Sequence, residues 1–177
     1  WAVMNESSNT HVAWQWLAGN TTGSSNSDGS ITSTVTANQT SGFSIVKYTG
    51  LGGAGGAQTV GHGLGKTPKM IMIKNRDTTD SWVVYHFDVG LNAITLDTAA
   101  ARITTGASVY WNDTHPTSSV FTVNTNAGVN GRENEGDSLI AYCFAEIPGY
   151  SRISAYKGNG NANGSFIGTG FKPSFIL

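Results

Sequence analysis

The sequence predicts an all-β protein, an antiparallel β-sandwich-like module with little or no helix. Three observations carry this. Apolar residues alternate with polar ones and do not recur every third or fourth position. The alternating runs are short and are separated by clusters of Gly, Asn, Ser and Thr. The composition also opposes helix: Gly alone supplies 23 of 177 residues, and the abundant Thr, Ser and Asn favour turns. Apolar residues reach 38%, with five Trp, six Tyr and seven Phe, enough to build a core and too many for a disordered chain.

Taken in order, residues 11–17 read as a strand with Val12, Trp14 and Trp16 on one face. A Gly/Ser/Asn-rich connector follows at 20–30. Further strands are expected at 43–48, 70–74, 82–87, 119–123 and 139–146, where apolar and polar residues alternate or β-branched and aromatic residues cluster. The glycines of 50–56 mark a turn. The best helix candidate is 97–103, Asp-Thr-Ala-Ala-Ala-Arg-Ile, about two turns and too short to be stable alone. Cys143 is the single cysteine, so no intrachain disulfide forms. Between Tyr142 and Phe144 it reads as a small core hydrophobe.

Charge excludes some function classes. Ten Lys and Arg against eleven Asp and Glu give a net charge of −1, without the basic excess of a nucleic-acid binder. The longest apolar run, Met70-Ile71-Met72-Ile73, is far below the roughly 18 residues of a membrane span. No signal-peptide pattern is visible at the start.

An internal repeat organises the chain. Gly42-Phe43-Ser44-Ile45-Val46-Lys47-Tyr48-Thr49-Gly50, Gly61-His62-Gly63-Leu64 and Pro68-Lys69-Met70-Ile71 are answered by later segments. These are Gly149-Tyr150-Ser151-Arg152-Ile153-Ser154-Ala155-Tyr156-Lys157-Gly158, Gly168-Thr169-Gly170-Phe171 and Pro173-Ser174-Phe175-Ile176. The spacing is about 107 residues. Aromatic strings precede both copies, Ala13-Trp14-Gln15-Trp16-Leu17 and Ala141-Tyr142-Cys143-Phe144-Ala145. The expected division is 1–41 as the end of one β-module plus a connector, 42–148 as a complete module, and 149–177 as the start of the next. The two copies are expected to superpose, each proline leading a strand. Phe171, Phe175, Ile176 and Leu177 then form a cut strand that pairs with another sheet in an assembly.

Motifs for chemistry are weak. Gly65-Lys66-Thr67 resembles the end of a phosphate loop, but Val60 stands where the first Gly is required and Pro68 blocks the helix. Gly50-Leu51-Gly52-Gly53-Ala54-Gly55 satisfies GxGxxG, yet Gly-rich sequence follows it, not a helix. The four histidines, His11, His62, His86 and His115, share no zinc-ligand spacing. His86 near Asp88 lacks a nucleophile elbow and reads as a sheet residue, and His62 between two glycines reads as exposed at a bend. The loops 75–80 and 130–137 are oxygen-rich, but neither fits a calcium loop and turns account for them. Five glycosylation sequons, at Asn5, Asn20, Asn38, Asn112 and Asn163, exceed chance only slightly. No metal, cofactor or catalytic residue is expected.

Several segments together resemble a known family: 42–50, 60–68, 73–77, 82–86 and 140–145, with Trp111-Asn112-Asp113-Thr114 and Pro116-Thr117-Ser118-Ser119-Val120-Phe121. They are similar to a repeated domain of large virion proteins of tailed bacteriophages, common in aquatic and marine phages. The resemblance covers roughly 42–177 and implies virion architecture, with no catalytic residues to carry over. The expectation is a non-enzymatic module of a tail fibre or similar surface appendage, extracellular, partnered by further copies or other virion proteins. A role in host-surface attachment is compatible with it. One alternative is a glycan-binding module, with Trp14, Trp16 and Trp111 stacking on sugar faces. Another is a subunit of a cell-derived extracellular filament.

Overall fold

The computed structural model describes residues 10, 13, 15–19, 22–104, 106–132 and 136–176, with the side chain of Ala54 left aside. The regular structure of the described residues is mostly β. The strands are β1 (Ser24–Asn26), β2 (Ser33–Asn38), β3 (Phe43–Thr49), β4 (Gln58–Gly61), β5 (Met70–Asn75), β6 (Val83–His86), β7 (Gly90–Thr95), β8 (Val120–Val123) and β9 (Ser138–Phe144). Two helices of one turn or so, α1 (Ala107–Trp111) and α2 (Ala127–Asn130), interrupt them. A seven-stranded sheet runs in the order β1-β2-β3-β9-β5-β6-β7, and β4 pairs β8 in a second sheet. Every ladder is antiparallel.

The core lies between the large sheet and a layer made of β4, β8, α1 and α2. Val46 and Tyr48 of β3, Ile71 and Ile73 of β5, and Leu139, Ala141 and Cys143 of β9 point inward. They meet Val60, Phe121, Val123, Trp111 and Val129 from the other layer. Hydrogen bonds tie the layers: Ile31 N–H donates to Thr59 O at 3.0 Å, and the buried Ser33 hydroxyl donates to Gly61 O at 2.9 Å. The Tyr48 hydroxyl donates to Val129 O and fixes α2 over β3. Burial pushes its ionisation well above the ordinary range, so it stays a donor.

Five expected strands fall on β3, β5, β6, β8 and β9. The helix expected at 97–103 does not form. Ile103 N–H instead donates to Ala93 O at 2.8 Å, and a bridge to β7 outcompetes a marginal two-turn helix. The described residues of 11–17 are in no strand, and His11, Val12 and Trp14 lie outside the described residues.

Among the described residues the two repeat copies differ in secondary structure and do not superpose strand on strand. Residues 43–49 form β3, paired on one side with β2 and on the other with β9. Residues 152–176 contain no strand, and Ser151 makes only an isolated bridge with Ile147. Pro68 stands two residues before β5, whereas Pro173 leads into no strand. A strand exists only where neighbours supply donors and acceptors in register; the first copy has two neighbouring strands, and among the described residues the second has only the Ser151 bridge and scattered single bonds.

The turn after β3 is set by close approach. Gly50 N–H donates to Asp137 O at 2.9 Å and Gly52 N–H to Asn130 O at 2.8 Å. A Cβ on Gly50 would overlap the Asn130 carbonyl. Gly50→Ala should therefore destabilise the fold by about 1–3 kcal/mol, read from urea unfolding. Gly164→Ala, which meets nothing within 4 Å, should leave the midpoint unchanged.

Candidate functional site

Alternation on the large sheet creates a second apolar face, turned away from the core. On β3, Ser44, Val46 and Tyr48 face inward, leaving Phe43, Ile45, Lys47 and Thr49 on the outer side. The register places their neighbours. Phe43 pairs with Phe144 and Ile45 with Tyr142, while Lys47 pairs with Ile140 and Thr49 with Ser138. Across β9, Tyr142 pairs with Met72 and Ile140 with Lys74. Residues of one face follow at period two, so the outer face grades from aromatic at one end to polar and cationic at the other.

The aromatic end is an open groove of about 380 Å³, walled by Phe43, Ile45, Tyr142 and Phe144 and closed by Trp16, Met72, Trp82 and Leu96. Phe43 and Tyr142 lie nearly parallel, at 7° and 6.4 Å between centroids, and Trp82 stacks on Tyr142 at 6.1 Å. Trp16 packs on Phe43 at 6.3 Å and edge-on against Phe144 at 6.2 Å. The polar end is a shallower cleft of about 240 Å³ lined by Thr32, Thr34, Lys47, Thr49, Arg76 and Ser138. Arg76 donates to the Ser138 hydroxyl at 3.3 Å, and Asp77 accepts the Ser138 N–H at 2.7 Å.

The structure separates the residues singled out from sequence. Trp16 stands on the groove, 45% exposed. Trp111 is a core residue, 2% exposed and edge-on to Tyr85 at 5.7 Å, so its ring has no open face for a sugar. Trp14 and Leu177 lie outside the described residues. Phe171, Phe175 and Ile176 form no strand; Phe175 rests edge-on against Trp16 at 5.7 Å and Ile176 is 82% exposed. Tyr142, Trp82, Lys47 and Arg76 were not singled out. For Lys47 and Tyr142 the signal is outward parity on strands expected from the sequence, whereas Trp82 stands just before β6 and Arg76 in the loop after β5, and the four become readable as a site only once the strand order is known.

The oxygen-rich loops carry their own cations. The Lys74 ammonium donates to Asn75 O at 2.8 Å, Thr78 O at 3.0 Å and Asp80 O at 2.7 Å, filling the position a metal would need. In the second loop Asp137, 2% exposed, accepts from Arg132 Nη2 at 2.7 Å and Nε at 3.1 Å and from Asn75 Nδ2 at 2.9 Å. The Arg132 bond outweighs burial and holds this carboxyl well below the usual range. Glu133 and Glu135 lie outside the described residues. Among the described residues no cluster of three His, Cys, Asp or Glu is placed for a metal.

The histidines differ from expectation. His62 is fully buried, not exposed at a bend. Its Nδ1 accepts from Leu64 N–H at 3.2 Å, and its Nε2 lies 3.3 Å from Thr117 O, which is the neutral tautomer protonated on Nε2. His86 Nδ1 is buried without a partner among the described residues, and Asp88 accepts instead from Ala155 N–H at 2.8 Å. No Ser-His-Asp relay is assembled there. Burial pushes the Cys143 thiol up to about 12, so it is an inert core group. The stretch 61–67 runs into β5, not into a helix.

This arrangement belongs to a defined family. The chain is a member of the family described as Domain of unknown function (DUF7483), which matches residues 1–177. No curated protein and no solved structure matches it significantly. The family assignment thus covers the whole sheet, both ends of its outer face and the 149–176 stretch.

His62 yields a pH prediction. Burial lowers its affinity for a proton, only partly offset by Thr117 O and the charge of Asp28. The unfolded chain binds that proton near the ordinary value of about 6.5, so stability is full above this and declines as pH falls through it. Unfolding free energies between pH 8 and 5 should show the decline, and His62→Gln should flatten it.

Proposed function

We propose that the chain is a non-enzymatic structural module of an extracellular virion appendage, joined to neighbouring copies or other virion proteins through its 149–176 stretch. One observation carries this reading. That stretch exposes Tyr150 at 60%, Tyr156 at 68%, Phe166 at 96% and Ile176 at 82%, yet among the described residues no strand forms after β9. Exposed apolar side chains along an unpaired backbone mark a segment that gains by meeting another polypeptide. The resemblance of 42–177 to repeated virion domains supports the same conclusion, as do the low charge and the Gly/Ser/Thr/Asn-rich loops. Modules in series bury such segments against their neighbours.

Self-association should be visible by light scattering over a concentration series. Ile176→Asp should weaken the contact by about 1–3 kcal/mol, since it buries a charge, while leaving the unfolding midpoint in place. A chain that stays monomeric at all concentrations, together with its absence by mass spectrometry from particles of the phage encoding it, would overturn the proposal.

A further inference from the structure

We infer that the outer face of the seven-stranded sheet binds an acidic oligosaccharide, its ring faces on the aromatic groove and its acid groups on the polar cleft. The two parts are one surface. Ile45 and Lys47 are successive outward residues of β3, and Tyr142 follows Ser138 and Ile140 on the same face of β9. From Ile45 to Thr49 is four residues, roughly 13 Å at the rise of a strand, a span suited to a short chain of sugars.

Each part matches one portion of such a ligand. Tyr142 and Trp82 are half-buried and held by stacking, so they present rigid, amphipathic ring surface at little entropic cost. Among the described residues the Thr32, Thr34 and Thr49 hydroxyls and the Lys47 ammonium have no protein partner at the cleft and can meet sugar hydroxyls and an acid group. Among the described residues no carboxylate lines the groove or the cleft. Asp77 is occupied by the Ser138 N–H, and the Lys74 ammonium by its own loop. Lys47 and Arg76 are therefore the cations that face the ligand. Two cations within this span can meet two acid groups of a sugar chain on a protein of net charge −1, whereas a nucleic-acid phosphate backbone would call for a basic groove.

The inference rests on this face alone and does not require the assembly reading. The test is titration of the wild-type chain, followed by tryptophan fluorescence and calorimetry, with hexagalacturonate, its fully methyl-esterified form, a chondroitin sulfate hexasaccharide and oligodeoxythymidylate. At least one acidic sugar should bind, at least tenfold more tightly than the neutral ester, and its affinity should fall as salt is raised. Lys47→Gln with Arg76→Gln should cost the acidic sugar at least tenfold, whereas Lys47→Arg with Arg76→Lys should retain binding. Tyr142→Ser should weaken it further, and Ile176→Asp should leave it unchanged. Equal binding of acid and ester, binding of neither acidic sugar, or tighter binding of oligodeoxythymidylate would each overturn the inference. The comparison of probes on the wild-type chain holds even where a variant does not fold.

Discussion

The ladder between β3 and β9 is the constraint on which the rest depends. Seven residue pairs, from Phe43↔Phe144 to Thr49↔Ser138, join segments that lie far apart in the chain. Their inward side chains, Val46, Tyr48, Leu139, Ala141 and Cys143, form the middle of the core. Their outward side chains form the groove and the cleft. One register serves both faces, and a slip by one residue would exchange them. The cross-strand pair of Ser44 and Cys143 shows how closely the inner face is filled: both are completely buried, and the neighbouring hydroxyl only partly offsets the effect of burial on the thiol.

The loops at the end of this ladder are held by internal charge. Asp137 takes donors from Arg132 and Asn75, and Asn130 bonds both Leu51 N–H and Gly52 O. A buried carboxylate survives there because nearly every acceptor position is used. The same loops hold Arg76 and Ser138 at the polar end of the outer face, so core stability and the shape of the cleft are coupled through Asn75 and its neighbours.

Much of the fold was legible in the sequence, because short runs rich in aromatic and aliphatic residues, bounded by turn residues, announce themselves. Phe43 to Tyr48 and Leu139 to Phe144 are plain in this sense. The Thr- and Ser-rich strands were not: β2 reads Ser-Thr-Val-Thr-Ala-Asn, and its inward residues Ser33 and Val35 are too small and too polar to stand out from a connector. The short helix α1 ends with Asn112 and Asp113, both at φ of 50°, a left-handed stop that Asn and Asp tolerate but that a search for helical periodicity does not detect. Trp111 illustrates the limit for function. A tryptophan in a polar stretch looks like a surface platform, and only the packing of α1 over β7 and β8 shows it as core. Trp82, just before β6, and Tyr142 on β9 are the converse, ordinary residues that become neighbours because β5 lies between β9 and β6 in the sheet.

The distance along the chain between β3 and β9 has a consequence for biogenesis. With β2 beside it, β3 can satisfy one edge early, while its other edge must wait for residues 138–144. At about 5–20 residues per second a ribosome needs several seconds or more to deliver them. During that interval the nascent chain carries an unpaired aromatic edge whose nearest complementary strands belong to other nascent chains. Long-range closure is slow and leaves such edges exposed to wrong pairing. Spacing between ribosomes on the message, as much as the stability of the finished sheet, then sets how much of the protein reaches its native register.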